Sequence, residues 1–547
     1  MYINKRVLLI VIVVAAFITS IFSGCSVNKG VTETQNDSTE KIVAGETGIT
    51  FPLKEKIKVK VMSMDFGRTM DKKIDKELEK RLNIEFDWNL VPGSDLVTKQ
   101  STLLASGDLP DMMIVAGGTS VLEQYDEMNY FVDFLPYYNS GKMPNTKKWK
   151  TVYDSIDTIL QYNGRWTLFP NFNKGVNNMT GTVGQGWMYR QDVFDKNNIA
   201  IPKTLDEVLE AAKSLKLKYP DLYPIVSNGQ GGIITTMCYV YRLPGTASFY
   251  VDPEDMQVKF TTVQPVFKEV IKVLNNMYKG KILDPEFATS TSDQNLEKFV
   301  TGKTFIGTDY WYVHHSIMRE KGKQSDPDFK TTLELLPINP YGKHGYEPYN
   351  YMLTSNWSIG ISNKSKYIDE LVAFIDYRLS DEIIELINWG IEDETFIRDG
   401  NSKKFVSNIA TGTSSSGQTG AVDLGLDGRS GMWAPIDLEV SMTTGDPQDM
   451  ASARYLIENN DKIALYTSGI SNIKFSQAQI DERTRINTPL QTYVNESVIK
   501  FIVGDLDVDK DWDAFQNKME EIGYKTLLKM NQDEFSKLPA DKQKFLK

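Results

Sequence analysis

Two aromatic residues, Tyr310 and Trp311, stand at the end of a predicted strand and have the clearest potential for binding chemistry. The face of an aromatic ring packs well against apolar groups, and tyrosine and tryptophan add a polar atom at the ring edge. A sugar ring has both apolar C–H faces and hydroxyl groups, so its binding needs aromatic platforms and a few fixed polar partners. We therefore predict that Tyr310 and Trp311 contact a ligand, with a role in the core as the alternative.

Signatures of catalysis are sparse by comparison. The chain has three histidines and contains neither a Gly-x-Ser-x-Gly nor a His-Glu-x-x-His sequence. This leaves little material for histidine-based catalysis or for a zinc site. We predict no catalytic residue, no cofactor and no metal ligand. The 72 acidic residues would nevertheless permit a pair of carboxylates that cleaves a glycosidic bond. A secreted glycoside hydrolase or polysaccharide lyase is therefore the alternative to a protein that binds its ligand without catalysis.

The elements that position these residues alternate between strands and helices. Apolar residues recur at every second position over 57–61 and 84–88, and a short apolar run covers 112–115. Apolar residues at helical spacing lie between these segments, and a long helix is predicted over 368–388. Strands that alternate with helices imply an α/β fold with a parallel sheet.

Two predicted strand ends supply further candidate ligand-binding residues. Asp65 and Phe66 follow the first predicted strand, and Gly117 and Gly118 follow the third. Ligands of such sheets bind beyond the carboxyl ends of the strands. We therefore expect Asp65 and Phe66 to face a ligand. Gly117 and Gly118 would let a ligand approach the backbone closely, although a plain turn is the simpler explanation for them.

The first residues have the features of an export signal. Lys5 and Arg6 precede an almost wholly apolar run over 7–22, which is shorter than the roughly 20 residues of a stable transmembrane helix. Ser23-Gly24-Cys25 then resembles the lipobox of bacterial lipoproteins. That resemblance implies a signal peptide over 1–24 and two acyl chains on Cys25, which together anchor a protein stably to a membrane.

Composition limits the possible partners and domain structure. A chain of 547 residues is too long for one hydrophobic core, so at least two domains are expected. Its formal net charge of −11 makes it a poor partner for nucleic acid. The chain has two cysteines, and with Cys25 acylated no internal disulfide forms. Cys238 lies in an apolar run and is predicted to be a buried thiol.

Several short segments, in order along the chain, resemble the extracellular solute-binding proteins of sugar-type ABC importers, in particular their large Gram-positive lipoprotein branch. The segments are Leu104-Ala105-Ser106-Gly107-Asp108-Leu109-Pro110-Asp111, Trp187–Asp192 with Ile201-Pro202-Lys203-Thr204, Phe299–Lys303 ending at Trp311, Asn388–Glu392, and Phe501–Gly504 with Asp511-Trp512-Asp513. Together with the lipobox they are spread over nearly the whole chain.

This resemblance implies a maltose-binding-like, type II periplasmic-binding-protein fold, in which a ligand lies in a cleft between two α/β lobes that close on it by hinge motion. The implied boundaries are a lipidated cysteine and tether over 25–50, a first lobe over 51–186 and 331–391, and a second lobe over 187–330 and 392–547. It further implies an oligosaccharide ligand, delivery to ABC permease subunits, a location on the extracellular face of the cell membrane, and a monomer. Binding of a peptide in place of a sugar is a further alternative.

The resemblance also assigns individual residues. It places a sugar-stacking tryptophan at Trp311 and a late cleft tryptophan at Trp433. Trp187 and Tyr189 flank the first predicted crossing between lobes and would either contact the ligand or pack at the hinge. Arg190 would hold a sugar hydroxyl or an acidic sugar, or else form a salt bridge between the lobes.

Alternate aspartates over 505–513 imitate the start of a calcium-binding loop. An EF-hand needs glycine at its sixth position and glutamate at its twelfth, and this chain has Lys510 and Gln516 there. We therefore predict that these acids serve a helix start and bind no calcium.

Overall fold

The computed structural model describes a discontinuous set of residues, which are 48–65, 69–93, 95–117, 121, 125, 128–150, 164–174, 185–227, 232–252, 254–310, 318, 321–345, 353–400, 402–406, 424–426, 436–437, 473–540 and 543. Within them, no helix is both long enough and apolar enough to cross a membrane.

The strands are mostly short. In chain order they are β1 (Ile57–Met64), β2 (Ile84–Val91), β3 (Met112–Val115), β4 (Phe169–Lys174), β5 (Gln185–Arg190), β6 (Ile225–Ser227), β7 (Phe249–Val251), β8 (Val258–Phe260), β9 (Ile306–Tyr310), β10 (Thr331–Glu334), β11 (Leu353–Ile361), β12 (Phe396–Asp399), β13 (Ser402–Phe405) and β14 (Ile436–Asp437).

The helices lie between these strands and at the end of the chain. They are α1 (Lys73–Leu82), α2 (Leu96–Ser106), α3 (Leu135–Asn139), α4 (Pro144–Lys150), α5 (Gln191–Lys196), α6 (Leu205–Lys218), α7 (Gly232–Val240), α8 (Pro265–Lys279), α9 (Ser292–Val300), α10 (Ile368–Tyr377), α11 (Asp381–Asn388), α12 (Gln477–Val503), α13 (Trp512–Ile522) and α14 (Tyr524–Lys537). A short 3-10 helix covers Thr261–Val263.

The first sheet contains six of the described strands, in the order β14-β4-β11-β3-β1-β2. β1 pairs in parallel with both β2 and β3, which confirms the alternation of strands and helices predicted from the apolar pattern. β11 is antiparallel to both β3 and β4, and β14 is parallel to β4. The sheet is therefore mixed, with a parallel part at its β1 and β2 end.

Helices cover both faces of the first sheet. Val59 and Val61 face one core, where they pack with residues of α1 and α10. Met62 faces a second core on the opposite side, where it packs with residues of α2. Successive strand residues alternate between the two faces, so burial of both faces explains why strands such as β3 are apolar throughout.

The second sheet contains β10, β5, β9 and β6 in that order. β5 is antiparallel to β9 and β10, and β6 is parallel to β9. Helices α6, α7 and α8 and the C-terminal helices α12 and α13 pack with this sheet in a separate hydrophobic core. Cys238 is buried in that core, as predicted, and burial raises the pKa of its thiol.

The position of β10 differs from the predicted lobe boundaries. Residues 331–391 were expected to return to the first lobe, but Thr331–Glu334 pairs with β5 in the second sheet. Conversely, β14 pairs with β4 in the first sheet, although 392–547 was expected to belong to the second lobe. Strand pairing between distant segments decides both positions, and an apolar pattern carries no information about the partner strand.

The helix predicted over 368–388 is interrupted. α10 ends at Tyr377, and α11 begins after Ser380, whose hydroxyl accepts a hydrogen bond from the backbone N–H of Ile383. A serine N-cap followed by Asp381 and Glu382 in the first turn stabilises a new helix start.

The end of α12 is held by a side chain from α8. The Asn275 amide, which is buried, donates to the backbone oxygens of Phe501 at 2.8 Å and of Ile502 at 3.1 Å. The last carbonyls of a helix have no partner within the helix, so Asn275 supplies hydrogen bonds that these buried groups otherwise lack.

Replacing Asn275 with alanine is expected to lower the free energy of unfolding by about 1 kcal/mol, because it leaves these carbonyls unpaired. Urea denaturation measures the effect. Asn531→Ala is the matched control, since Asn531 is equally buried but bonds only to Leu527, one turn earlier in its own helix. An equal effect of the two substitutions would contradict a specific role for Asn275.

Candidate ligand-binding site

One edge of the first sheet collects the ends of several strands. β1 ends at Met64 and β3 at Val115, and these parallel strands end at the same edge. β11 is antiparallel to β3, so its first residue, Leu353, lies at that edge too. β4 is antiparallel to β11, and β14 is parallel to β4. Because β11 is itself antiparallel to β3, both β4 and β14 run in the same direction as β3 and also end at this edge.

Two of the predicted ligand-binding residues occupy this edge. Asp65 directly follows β1, is exposed, and donates its backbone N–H to the Val91 oxygen at 2.7 Å. Gly117 lies just after β3 and has a φ of 98°, a left-handed conformation that suits glycine. Phe66 and Gly118, which follow them, lie outside the described residues.

The chain connects the two sheets at the same edge. β4 ends there, and residues 175–184 lead from it to β5. Residues 346–352 lead back from the second sheet to the start of β11, and residues 438–472 lead from β14 to α12. All three connections between the two cores therefore leave or reach the first sheet at the edge that carries Asp65 and Gly117.

The corresponding edge of the second sheet carries Tyr310. β5 begins at Gln185, which pairs with Tyr310, the last residue of β9. β6 ends at Ser227 beside β9, and β10 ends at Glu334 beside the start of β5. The connection over 175–184 thus reaches the second sheet at the edge where β6, β9 and β10 end, and ligands of α/β sheets bind at such edges.

Tyr310 is thus the last residue of a strand, whereas the sequence pattern placed that strand over 303–307. Trp311, Trp433 and Cys25 lie outside the described residues. Their roles stay predictions.

Trp187 and Tyr189 do not contribute to an accessible surface. Both side chains have a relative exposure of 0% and belong to the core of the second sheet, where Tyr189 packs edge-on against Phe194. A side chain enclosed on all sides has no face for a sugar to stack on. In this conformation both residues pack in the core of the second sheet, and their predicted contact with a ligand gains no support.

Arg190 is also buried, with a relative exposure of 3%. Its guanidinium donates to both carboxylate oxygens of Asp192, at 2.9 and 2.7 Å, and to the Phe299 backbone oxygen at 3.2 Å. It also lies 3.5 Å from the Asp326 carboxylate and packs 4.1 Å from the Phe329 ring centre.

Asp192 lies in α5 directly after β5, Phe299 lies in α9 before β9, and Asp326 and Phe329 lie in the segment before β10, so all of these partners adjoin strands of the second sheet in the sequence. Arg190 ends β5, so it lies at the edge opposite the one where Gln185 pairs with Tyr310. The predicted contacts of Arg190 with a sugar or across the lobes gain no support, because its guanidinium already donates to Asp192 and to the Phe299 backbone oxygen.

Glu334, Ser227 and Asp437 end strands at the two edges and were not predicted as site residues. The Glu334 carboxylate pairs with the Lys203 ammonium at 2.5 Å. No local pattern marks these residues, because their positions depend on strand pairing across long stretches of sequence.

No group of three or more histidine, cysteine, aspartate or glutamate side chains suited to a metal ion occurs among the described residues. In the acidic segment over 505–513, the Asp507 carboxylate accepts hydrogen bonds from the backbone N–H groups of Lys510 and Asp509, which lowers its pKa. Asp511 accepts from the Asp507 N–H, and Asp509 pairs with Lys272 at 2.6 Å. These acids close the turn before α13.

Residues 63–384, more than half of the chain, match the sequence profile described as bacterial extracellular solute-binding protein. The chain belongs to this family. Its members are described as bacterial proteins that bind a solute outside the cell.

Its relatives can be named more narrowly. The chain is 23% identical over 560 aligned residues to the polygalacturonan/rhamnogalacturonan-binding protein YtcQ of Bacillus subtilis, and the alignment covers 97% of this chain and 99% of that protein. Among solved structures, the alginate-binding protein AlgQ2 without calcium ion superimposes with a TM-score of 0.69 at 18% identity, covering 89% of this chain and 99% of AlgQ2.

The substrate-binding protein FusA of the Streptococcus pneumoniae ABC transporter, in complex with kestose, superimposes with a TM-score of 0.67 at 17% identity, covering 87% and 98% of the two chains. These similarities confirm the predicted α/β, two-lobed, periplasmic-binding-protein-like fold.

Proposed function

We propose that this protein is an extracellular receptor that captures an oligosaccharide between its two lobes. The observation that carries the proposal is where the connections between the two cores lie. All three meet the first sheet at the edge that carries Asp65 and Gly117, and the one over 175–184 reaches the second sheet at the edge where β9 ends in Tyr310. Membership of the solute-binding family supports binding without catalysis. The named relatives, which bind polygalacturonan, rhamnogalacturonan, alginate or kestose, support a carbohydrate as the solute.

The ligand-binding residues in this proposal are those at the two edges and in the segments that extend them. They are Asp65, Phe66, Gly117, Gly118, Tyr310, Trp311 and Trp433. Trp311 serves as a stacking platform for a sugar ring, and Asp65 as a hydrogen-bond acceptor for hydroxyl groups.

The proposal includes the transport role. The loaded, closed form delivers its sugar to the permease subunits of an ABC transporter, and the protein acts as a monomer held at the outer face of the cell membrane by lipid on Cys25. In this proposal the chain crosses between the lobes at 175–184, 346–352 and 438–472, since each of these segments joins a strand of the first sheet to an element of the second sheet or its core.

An acidic oligosaccharide is the preferred ligand class within this proposal. Polygalacturonan and alginate are polymers of uronic acids, and YtcQ matches this chain over almost its whole length. Kestose, the ligand of FusA, is neutral and provides the matched comparison.

Thermal unfolding with oligogalacturonides and with kestose tests the proposal. A ligand that binds only the folded state at 100 times its Kd adds about 2.7 kcal/mol of stability, so the melting temperature should rise with ligand concentration. We expect this rise with oligogalacturonides and recovery of the sugar intact.

A rise in melting temperature with kestose alone would refute the acidic ligand class and would still support an oligosaccharide receptor. Cleavage of the sugar over many turnovers would establish the hydrolase or lyase alternative. No rise with any glycan would refute carbohydrate binding and direct the search to peptides.

A further inference from the structure

Three buried polar atoms on one face of the second sheet have no hydrogen-bond partner among the described residues. They are Nε1 of Trp187, the hydroxyl of Tyr189 and Oε2 of Glu334. Trp187 and Tyr189 are fully buried, and the Glu334 side chain is 13% exposed. Native proteins pair roughly 90% or more of their buried polar groups, so a cluster of three exceptions calls for an explanation.

Strand register brings these three side chains together. Trp187 of β5 lies directly opposite Glu334 of β10, and Tyr189 is the next residue of β5 on the same face. Directly opposite residues have Cβ atoms about 5 Å apart, and diagonal neighbours are within reach of long side chains. Burial, followed by the nearby carboxylates of Glu334 and Glu207, raises the pKa of Tyr189 well above its ordinary value.

The chemistry of the three atoms restricts what can satisfy them. The indole N–H only donates, the carboxylate oxygen only accepts, and the tyrosine hydroxyl does both. A cation does not fit, because the indole N–H offers it no lone pair. An anion does not fit either, because it would be repelled by the Glu334 carboxylate, whose other oxygen already pairs with Lys203. A water molecule accepts from Trp187 and Tyr189 and donates to Glu334, and three hydrogen bonds are typical of a buried water.

We propose that one internal water molecule is bound by Trp187 Nε1, the Tyr189 hydroxyl and Glu334 Oε2. This water joins β5 to β10 and, through Glu334, to Lys203 just before α6. It therefore helps to hold β5, the strand that directly follows the connection over 175–184, beside β10. The inference concerns the folded protein alone and is independent of which solute is bound.

Tyr189→Phe tests the proposal through the sign of its effect on stability. If water is bound, the substitution removes one of its hydrogen bonds, and the folding equilibrium constant should fall roughly fivefold. If the site is dry, the substitution removes an unpaired buried hydroxyl and should leave the constant unchanged or raise it. Tyr377→Phe is the reference, because the buried Tyr377 donates directly to Glu382 at 2.9 Å.

A crystal structure of the unsubstituted protein provides a second, independent test. We expect one electron-density peak within about 3 Å of all three atoms. The absence of a peak, or a Tyr189→Phe variant at least as stable as the original while Tyr377→Phe is destabilised, would overturn the proposal.

Discussion

Replacing Arg190 with methionine is expected to lower the free energy of unfolding by about 3 kcal/mol, because it breaks a buried ion pair and leaves its partner behind. The Asp192 side chain is only 15% exposed and receives two hydrogen bonds from the guanidinium. The same group donates to the Phe299 oxygen and covers the Phe329 ring, so one side chain links β5 to the end of α9 and to the segment before β10. Chemical denaturation followed by circular dichroism measures the loss.

Arg190→Lys should recover only part of this stability. A lysine ammonium cannot donate along two parallel directions to one carboxylate, and it stacks less well on an aromatic ring. Arg398→Met is the control, because Arg398 is 45% exposed and pairs with Glu385 and Glu392 at the surface. Exposed pairs contribute about 0–1 kcal/mol. Equal losses at positions 190 and 398 would refute the importance of burial at Arg190.

The structure of Arg190 illustrates which features sequence can predict. Strands and helices near the start of the chain follow from local alternation and helical spacing of apolar residues, and the structure confirms β1, α1, β2, α2 and β3. The partners of Arg190 do not follow, because Asp326 is 136 positions away along the chain. A charged residue after a strand looks the same in sequence whether it meets a ligand or a distant carboxylate.

The burial of Trp187 and Tyr189 could not be predicted from sequence for a related reason. Alternation along β5 shows that both side chains share one face, but it does not reveal that α6 packs in the core on that face or that β10 lies beside β5. The interruption at Ser380 of the helix predicted over 368–388 is a different case. The sequence does contain a helix-start signal there, namely serine followed by two acidic residues. The apolar periodicity on both sides of it concealed that signal.

Tyr310, in contrast, is the last residue of β9, and strand ends are where ligands of such sheets are expected. This position motivates the prediction with the largest expected effect on binding. Replacing Trp311 with alanine is expected to weaken binding of the captured oligosaccharide about hundredfold, or about 2.7 kcal/mol. The reason is the loss of an aromatic face that stacks on the sugar ring, which is the kind of contact that dominates binding energy at enclosed sites. Isothermal titration calorimetry with the glycan identified by thermal unfolding measures the effect.

Trp187→Phe provides the matched control for Trp311→Ala, because Trp187 lies in β5, Trp311 follows the last residue of the neighbouring strand β9 in the sequence, and the two have opposite expected roles. Trp187 fills the core, so a smaller ring should lower the free energy of unfolding by about 2 kcal/mol and leave Kd within about threefold. Trp311→Ala should instead change Kd and leave the unfolding free energy without ligand almost unchanged. If both substitutions weakened binding equally, stacking on Trp311 would lose its support, and the integrity of the second sheet would account for both losses.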